Sequence, residues 1–162
     1  MKRWGIGMLS IALIVILLIG VRSGQHGSAS IRRDCPIRAS TQLTLLREKP
    51  DNPERFVLPA RSIVKSPGRV RAIATALCQL PAMPTGTIVC PADLGPSYAL
   101  RFSTNNKKFG TILLDATGCQ GVTGLGHMRW VLRSAGFWHR LGAALGYPKA
   151  SYDNFRGRLL AG

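Results

Sequence analysis

Acidic side chains are scarce in this chain of 162 residues, which has 7 Asp and Glu against 22 Lys and Arg and a formal net charge of +15. Histidine occurs three times, and aromatic residues make up 7% of the sequence. The Gly-x-Ser-x-Gly and His-Glu-x-x-His motifs are both missing, which removes common signatures of serine hydrolases and zinc proteases. These shortages argue against catalysis, and we expect a protein that is not an enzyme.

Paired cysteines of the Cys-x-x-Cys type are missing as well. The four cysteines are separated by 42, 11 and 28 intervening residues, and such spacings do not suit a zinc site. Four cysteines in an exported segment of this size are typical of two disulfides. We therefore expect no metal and no other cofactor. Of the three possible connectivities we favour Cys35–Cys78 and Cys90–Cys119.

A long apolar run is present near the N-terminus, where Ile6–Val21 follows Met1-Lys2-Arg3 without a charge. Its length falls between the ~7–15 residues of a signal-peptide core and the ~17–25 of a spanning helix. Because no Ala-x-Ala cleavage site stands close to Val21, we predict an N-terminal transmembrane anchor over residues 1–21, with a cleaved signal peptide as the alternative. The positive charges before the run predict a cytoplasmic N-terminus, so the remainder would be extracytoplasmic. Cleavage would instead give a secreted protein.

The chain beyond the run divides at Cys35. Residues 22–34 are rich in Gly and Ser, which predicts a flexible linker. Residues 35–162 are long enough for one domain with a hydrophobic core. Residues 149–162 show little pattern and predict a loose tail.

Two segments of the domain have helical periodicity. Ser66-Pro67 is a typical helix start, and apolar residues recur at helical spacing from there to Leu80, before Pro81. A second helix is predicted over residues 134–145, where apolar residues form a stripe that ends at Gly146. Ser40–Leu46 alternates as a β-strand does.

The strongest local signal is a β-hairpin over residues 98–115, with its turn centred on Asn106. This register sets Tyr98 opposite Leu114, Leu100 opposite Ile112 and Phe102 opposite Gly110, which gathers the apolar side chains on one face. Cys90 precedes the first strand and Cys119 follows the second, so both leave the hairpin at the same end. That geometry is the reason for pairing them. The fold class expected is α+β: a small antiparallel sheet packed by two helices, preceded by the N-terminal transmembrane helix and held by two disulfides.

Part of the domain resembles a known group of proteins. The segments Cys90-Pro91-Ala92-Asp93, Tyr98–Phe102, Asp115–Cys119 and Phe137-Trp138 together resemble small exported or membrane-anchored domains of high-GC actinobacteria. The composition, with 16 Arg against 6 Lys, fits such a source. That group has no assigned activity, so the resemblance implies a tethered extracytoplasmic domain and supplies no catalytic residue.

Charge gives the main indication of a partner. Residues 35–162 carry 17 Lys and Arg against 6 Asp and Glu, and a field of that size attracts polyanions. Outside a membrane these include anionic lipid headgroups and phosphate-bearing cell-wall polymers. Specific nucleic-acid binding is not expected, since no basic run is interleaved with stacking aromatics. The candidate anion-binding residues are Arg69, Arg71, Arg129, Arg133 and Arg140.

Two functional hypotheses result. We favour a non-catalytic, membrane-tethered extracytoplasmic module that binds a protein partner or an anionic component of the cell envelope. The alternative is an extracytoplasmic hydrolase that uses Asp93 or Asp115 with His127 or His139, because a carboxylate can orient a histidine for acid–base chemistry.

Overall fold

The computed structural model describes residues 35–48, 56–92, 95–132, 134 and 136–157. The predicted anchor over residues 1–21 and the predicted linker over residues 22–34 lie outside these described residues. Of the helices within the described ranges, none has the length and apolar character needed to cross a membrane.

The described chain is an α+β fold built on one antiparallel sheet. Six strands lie in the order β2-β1-β3-β4-β5-β6, and every neighbouring pair is antiparallel. This confirms the expected antiparallel sheet and adds a short third helix to the two predicted ones. In chain order the elements are a 3-10 turn Pro36–Ala39, β1 Gln42–Glu48, β2 Arg61–Val64, α1 Pro67–Cys78, β3 Ser97–Ser103, β4 Lys108–Asp115, β5 Gly121–Thr123, β6 Arg129–Trp130, α2 Phe137–Leu145 and α3 Tyr152–Arg156.

The β3–β4 hairpin has most of its predicted register. Tyr98 pairs with Leu114 and Leu100 with Ile112, as expected, but the pairing shifts after Arg101 and Ser103 lies opposite Lys108. The predicted pair of Phe102 with Gly110 falls at this shift, where Phe109 and Gly110 together lie opposite Phe102. The reason is a tighter turn, closed by the Thr104 amide donating to the Lys107 carbonyl at 2.8 Å. The extra residue of β4 is taken up as a bulge.

One face of the sheet forms the hydrophobic core with the helices. Alternate residues of each central strand are buried on this face, because side chains of a strand point to opposite sides in turn. The helices cover it with the apolar stripe of α1 and with the aromatic residues of α2. The fully buried strand residues of this face are Leu43, Leu45, Tyr98, Leu100, Phe102, Ile112, Leu114 and Val122.

The C-terminal segment is folded through Gly157, so the expectation of a loose tail is wrong for residues 149–157. Phe155 of α3 is fully buried, its ring lies 5.1 Å from that of Trp138, and its carbonyl accepts a 2.6 Å hydrogen bond from the Tyr98 hydroxyl. A five-residue helix is too short to show periodicity in a sequence. Residues 158–162 lie outside the described part.

Both predicted disulfides are present. Cys35 is bonded to Cys78, with the two Cα atoms 5.9 Å apart, and Cys90 is bonded to Cys119, with Cα atoms 5.1 Å apart. The first joins the 3-10 turn to the last residue of α1. The second joins the segment before β3 to the one after β4, as the hairpin geometry requires. Two disulfides of this kind are consistent with an oxidising, extracytoplasmic location.

Candidate anion-binding groove

A groove of about 370 Å³ lies between α1 and α2. Its floor is one face of α1, and the side chain of Arg140 on α2 closes the other side. The residues of α1 that line it recur every three or four positions and are mostly small: Gly68, Arg71, Ala72, Thr75, Ala76 and Gln79.

Small residues on α1 make this groove possible. Residues three or four apart share one side of a helix, so Gly68, Ala72 and Ala76 form a strip without long side chains. Arg71 stands at the border of this strip and is exposed. The opposite stripe of α1, which includes Val70 and Leu77, is buried against the sheet. The same helix thus holds the core with one face and lines the groove with the other.

The groove is electropositive. Arg71 and Arg140 both line it, and both are exposed to solvent. The described residues include three carboxylates, at Glu48, Asp115 and Asp153, and none of them is among the lining residues. Asp153 forms an ion pair with Arg156, at 2.8 Å.

Arg129, assigned by the sequence to an anion-binding surface, is buried instead, with 7% of its area exposed. Its guanidinium Nη1 donates to the carbonyls of Cys78 at 3.1 Å and Leu80 at 2.9 Å. These carbonyls lie at the end of α1, where the helix has no intrahelical donor for them and where a cation is favoured. Arg129 therefore caps α1 and does not belong to a surface patch.

The other four candidate arginines differ in their positions. Arg71 and Arg140 come together in the groove, as described above. Arg69 is exposed on α1 but does not line the groove. Arg133 lies outside the described residues.

The described residues of the alternative hydrolase hypothesis do not line this groove. Asp93 lies outside the described residues, Asp115 is half-buried at the end of β4, and His127 and His139 are exposed. Within the described ranges, no three His, Cys, Asp or Glu side chains form a group that could hold a metal ion. The hydrolase hypothesis stays a prediction.

One motif with catalytic precedents does occur, the Ser-x-x-Lys tetrapeptide Ser62–Lys65. Ser62 lies in strand β2 opposite Leu45 and so on the core side of the sheet. Lys65 follows the strand by one residue and is exposed. A strand places residues three apart on opposite faces, so this spacing does not bring the two side chains together within the strand geometry.

The residues that form the floor of the groove were not predicted from the sequence. The stripe of Gly68, Ala72, Thr75 and Ala76 is visible in the sequence, at helical spacing and beside Arg71. Its position next to Arg140 depends on the packing of α1 against α2, which periodicity alone does not provide.

Comparison with known proteins identifies no relative of this chain: no protein-family model, curated protein or solved structure matches it. The resemblance to exported actinobacterial domains therefore stays a prediction.

Proposed function

We propose that this protein is a non-catalytic, membrane-tethered extracytoplasmic module that binds an anionic, phosphate-bearing component of the cell envelope in the groove between α1 and α2. The observation that supports the proposal is the presence of Arg71 and Arg140 in one groove, where none of the described lining residues is a carboxylate. A protein partner with an acidic surface is the alternative occupant.

The chemistry of the groove suits phosphate. A guanidinium presents its N–H groups in a planar fork that can bind two phosphate oxygens at once, and it keeps its charge at every physiological pH. The floor of Gly68, Ala72 and Ala76 leaves room for a polymer to approach the helix closely. Thr75 and Gln79 add polar side chains along the same face.

The wider charge distribution supports the same class of ligand. The domain has a large excess of Lys and Arg over Asp and Glu, and such a field raises the local concentration of polyanions and their rate of association. The two disulfides support an extracytoplasmic location, where wall polymers and lipid headgroups are found. The apolar run Ile6–Val21 supports the tether.

Charge reversal in the groove tests the proposal. The full chain, held in phosphatidylcholine nanodiscs, is titrated with fluorescent polyphosphate or with a glycerol-phosphate polymer over a series of salt concentrations. We expect Arg71→Glu/Arg140→Glu to weaken binding at least about thirtyfold, since each basic residue near an anionic surface contributes ~1 kcal/mol. The dependence of affinity on salt should also become shallower, because fewer counterions are released.

The matched control is Arg69→Glu/Arg101→Glu, which changes the net charge by the same amount at exposed positions outside the groove. It should keep most of the affinity. Equal losses in the two double variants would show that binding reflects net charge alone, and no binding by the unmodified protein at low salt would overturn the proposal.

A further inference from the structure

A second groove, of about 330 Å³, lies at the C-terminal end of α2. One wall is the segment before β2, and the other is the turn that joins α2 to α3. Its lining is mostly apolar and includes Val57, Leu58, Tyr147, Pro148, Lys149 and Asn154.

Hydrogen bonds fix both walls of this groove. On one side, the Leu58 carbonyl accepts a 2.9 Å hydrogen bond from the buried guanidinium of Arg47. On the other, α2 ends at Gly146 in the left-handed conformation, with φ +97°, and the Tyr147 amide donates back to the Gly142 carbonyl at 2.8 Å. This ending is the usual way in which a helix is terminated and the chain redirected. The groove is therefore part of the folded scaffold.

The apolar part of the groove is open to solvent. Val57 is 63% exposed and Tyr147 is 38% exposed, and both are among the few large hydrophobic residues left accessible in the described chain. Pro148 follows Tyr147 in the chain and also lines the groove. Covering such a surface with an apolar group is favourable because it removes that area from water.

The polar part of the groove presents hydrogen-bond donors. Lys149 is one of the lining residues and carries an ammonium group. The Oδ1 atom of Asn154 already accepts hydrogen bonds from the Ser151 amide at 2.8 Å and the Ser151 hydroxyl at 3.2 Å, which leaves the Nδ2 hydrogens for an acceptor. None of the described residues that line the groove is a carboxylate. A lysine and an amide N–H group beside an apolar wall are complementary to an anion that carries a hydrocarbon chain.

We propose that this groove binds a free medium-chain alkyl carboxylate. The chain lies against Val57, Leu58 and Tyr147, and the carboxylate accepts hydrogen bonds from the Lys149 ammonium and the Asn154 amide. A groove of this size holds on the order of ten groups of the volume of a water molecule, which suits a chain of about eight to ten carbons. The assignment does not depend on the anion-binding role of the groove between α1 and α2.

The test compares two probes that differ only in the sign of their charge. The full chain in phosphatidylcholine nanodiscs, labelled with ¹⁵N, is titrated with octanoate and with octylammonium, and amide chemical shifts are followed. We expect saturable shifts for octanoate confined to residues 57–58 and 146–154. Octylammonium should bind about two- to fivefold more weakly, which corresponds to one exposed charge pair. Lys149→Glu should reverse that preference.

Two further variants complete the test. Lys65→Glu, an exposed lysine that does not line the groove, should keep the preference for octanoate. Val57→Ser, at an exposed position where folding is not at risk, should weaken both probes. Two results would overturn the proposal: shifts that do not saturate, or equal affinity for octanoate in the unmodified protein and in Lys149→Glu. Shifts that do not saturate would show that the probe only partitions into the nanodisc.

Discussion

Two arginines are buried, and among the described residues neither forms an ion pair with a carboxylate. Other groups stabilise each of the two charges. Arg47 is 8% exposed; its Nη1 donates to the Leu58 carbonyl, and its guanidinium lies 3.8 Å from the centre of the Phe56 ring. Arg129 caps the end of α1. Carbonyl dipoles and an aromatic face thus replace the counterion. Alternation predicts the position of Arg47, which shares a strand face with Leu43 and Leu45, but nothing in the sequence marks Arg129 as buried.

Removing the cap of α1 should destabilise the fold. In Arg129→Met the carbonyls of Cys78 and Leu80 lose their donor, and an unmade hydrogen bond to each costs about 1 kcal/mol. We expect the free energy of unfolding in urea to fall by about 2 kcal/mol. Arg69→Met, at an exposed position on the same helix, is the control and should change it by less than about 0.5 kcal/mol. Equal stability of the two variants would contradict the capping role.

Tyr98 should make the fold sensitive to alkaline pH. Burial raises the pKa of its hydroxyl well above the ordinary 10.0, an effect that the nearby Arg47 charge only partly offsets. The folded protein therefore keeps this proton at a pH where the unfolded chain has lost it, so stability is full below pH ~10 and falls as the pH rises further. One such group gives a slope of up to about 1.4 kcal/mol per pH unit.

Urea unfolding between pH 9 and 11 measures that slope. Tyr98→Phe should remove it, while also losing the hydrogen bond to the Phe155 carbonyl at a cost of about 1 kcal/mol. Tyr147→Phe, which alters a partly exposed tyrosine, should keep the slope of the unmodified protein. An unchanged slope in Tyr98→Phe would mean that other groups cause the alkaline loss.

The length of a helix or strand decides whether its position can be predicted from the sequence. The 12 residues of α1 and the strands of the β3–β4 hairpin are long enough for periodicity to show, and the position of Cys90 and Cys119 around that hairpin gave a correct pairing. The three residues of β5, the two of β6 and the five of α3 are too short for any pattern. Their places depend on contacts distant in sequence, such as that of Tyr98 with Phe155.

The Cys35–Cys78 disulfide should contribute strongly to stability. It joins the 3-10 turn to the end of α1 across 43 residues of sequence, and closing a loop of that length restricts the unfolded chain by about 4 kcal/mol in the loop-entropy model. We expect Cys35→Ala/Cys78→Ala to lose about 2–4 kcal/mol in urea unfolding. Peptide mapping without reduction should first confirm that both disulfides are complete. A loss below about 1 kcal/mol would mean that packing alone holds the turn on α1.

At the scale of the whole molecule, the predicted anchor is tested by fractionation. The length of the apolar run Ile6–Val21 and the lack of a cleavage site close to it favour retention of the segment. We expect the full chain of 17.5 kDa to stay in the membrane pellet after alkaline extraction, with residues 1–21 detected by mass spectrometry. A shorter protein in the medium would instead show that the segment is a signal peptide.

In the proposed function, an anionic polymer binds in the groove between α1 and α2. Amide chemical-shift mapping of the ¹⁵N-labelled protein with polyphosphate tests it most directly, because it reports the place of binding. We predict that the largest shifts fall on the lining residues of α1, from Gly68 to Gln79, and on Arg140. Shifts concentrated on the basic β3–β4 turn, at Lys107 and Lys108, with none in the groove, would contradict it.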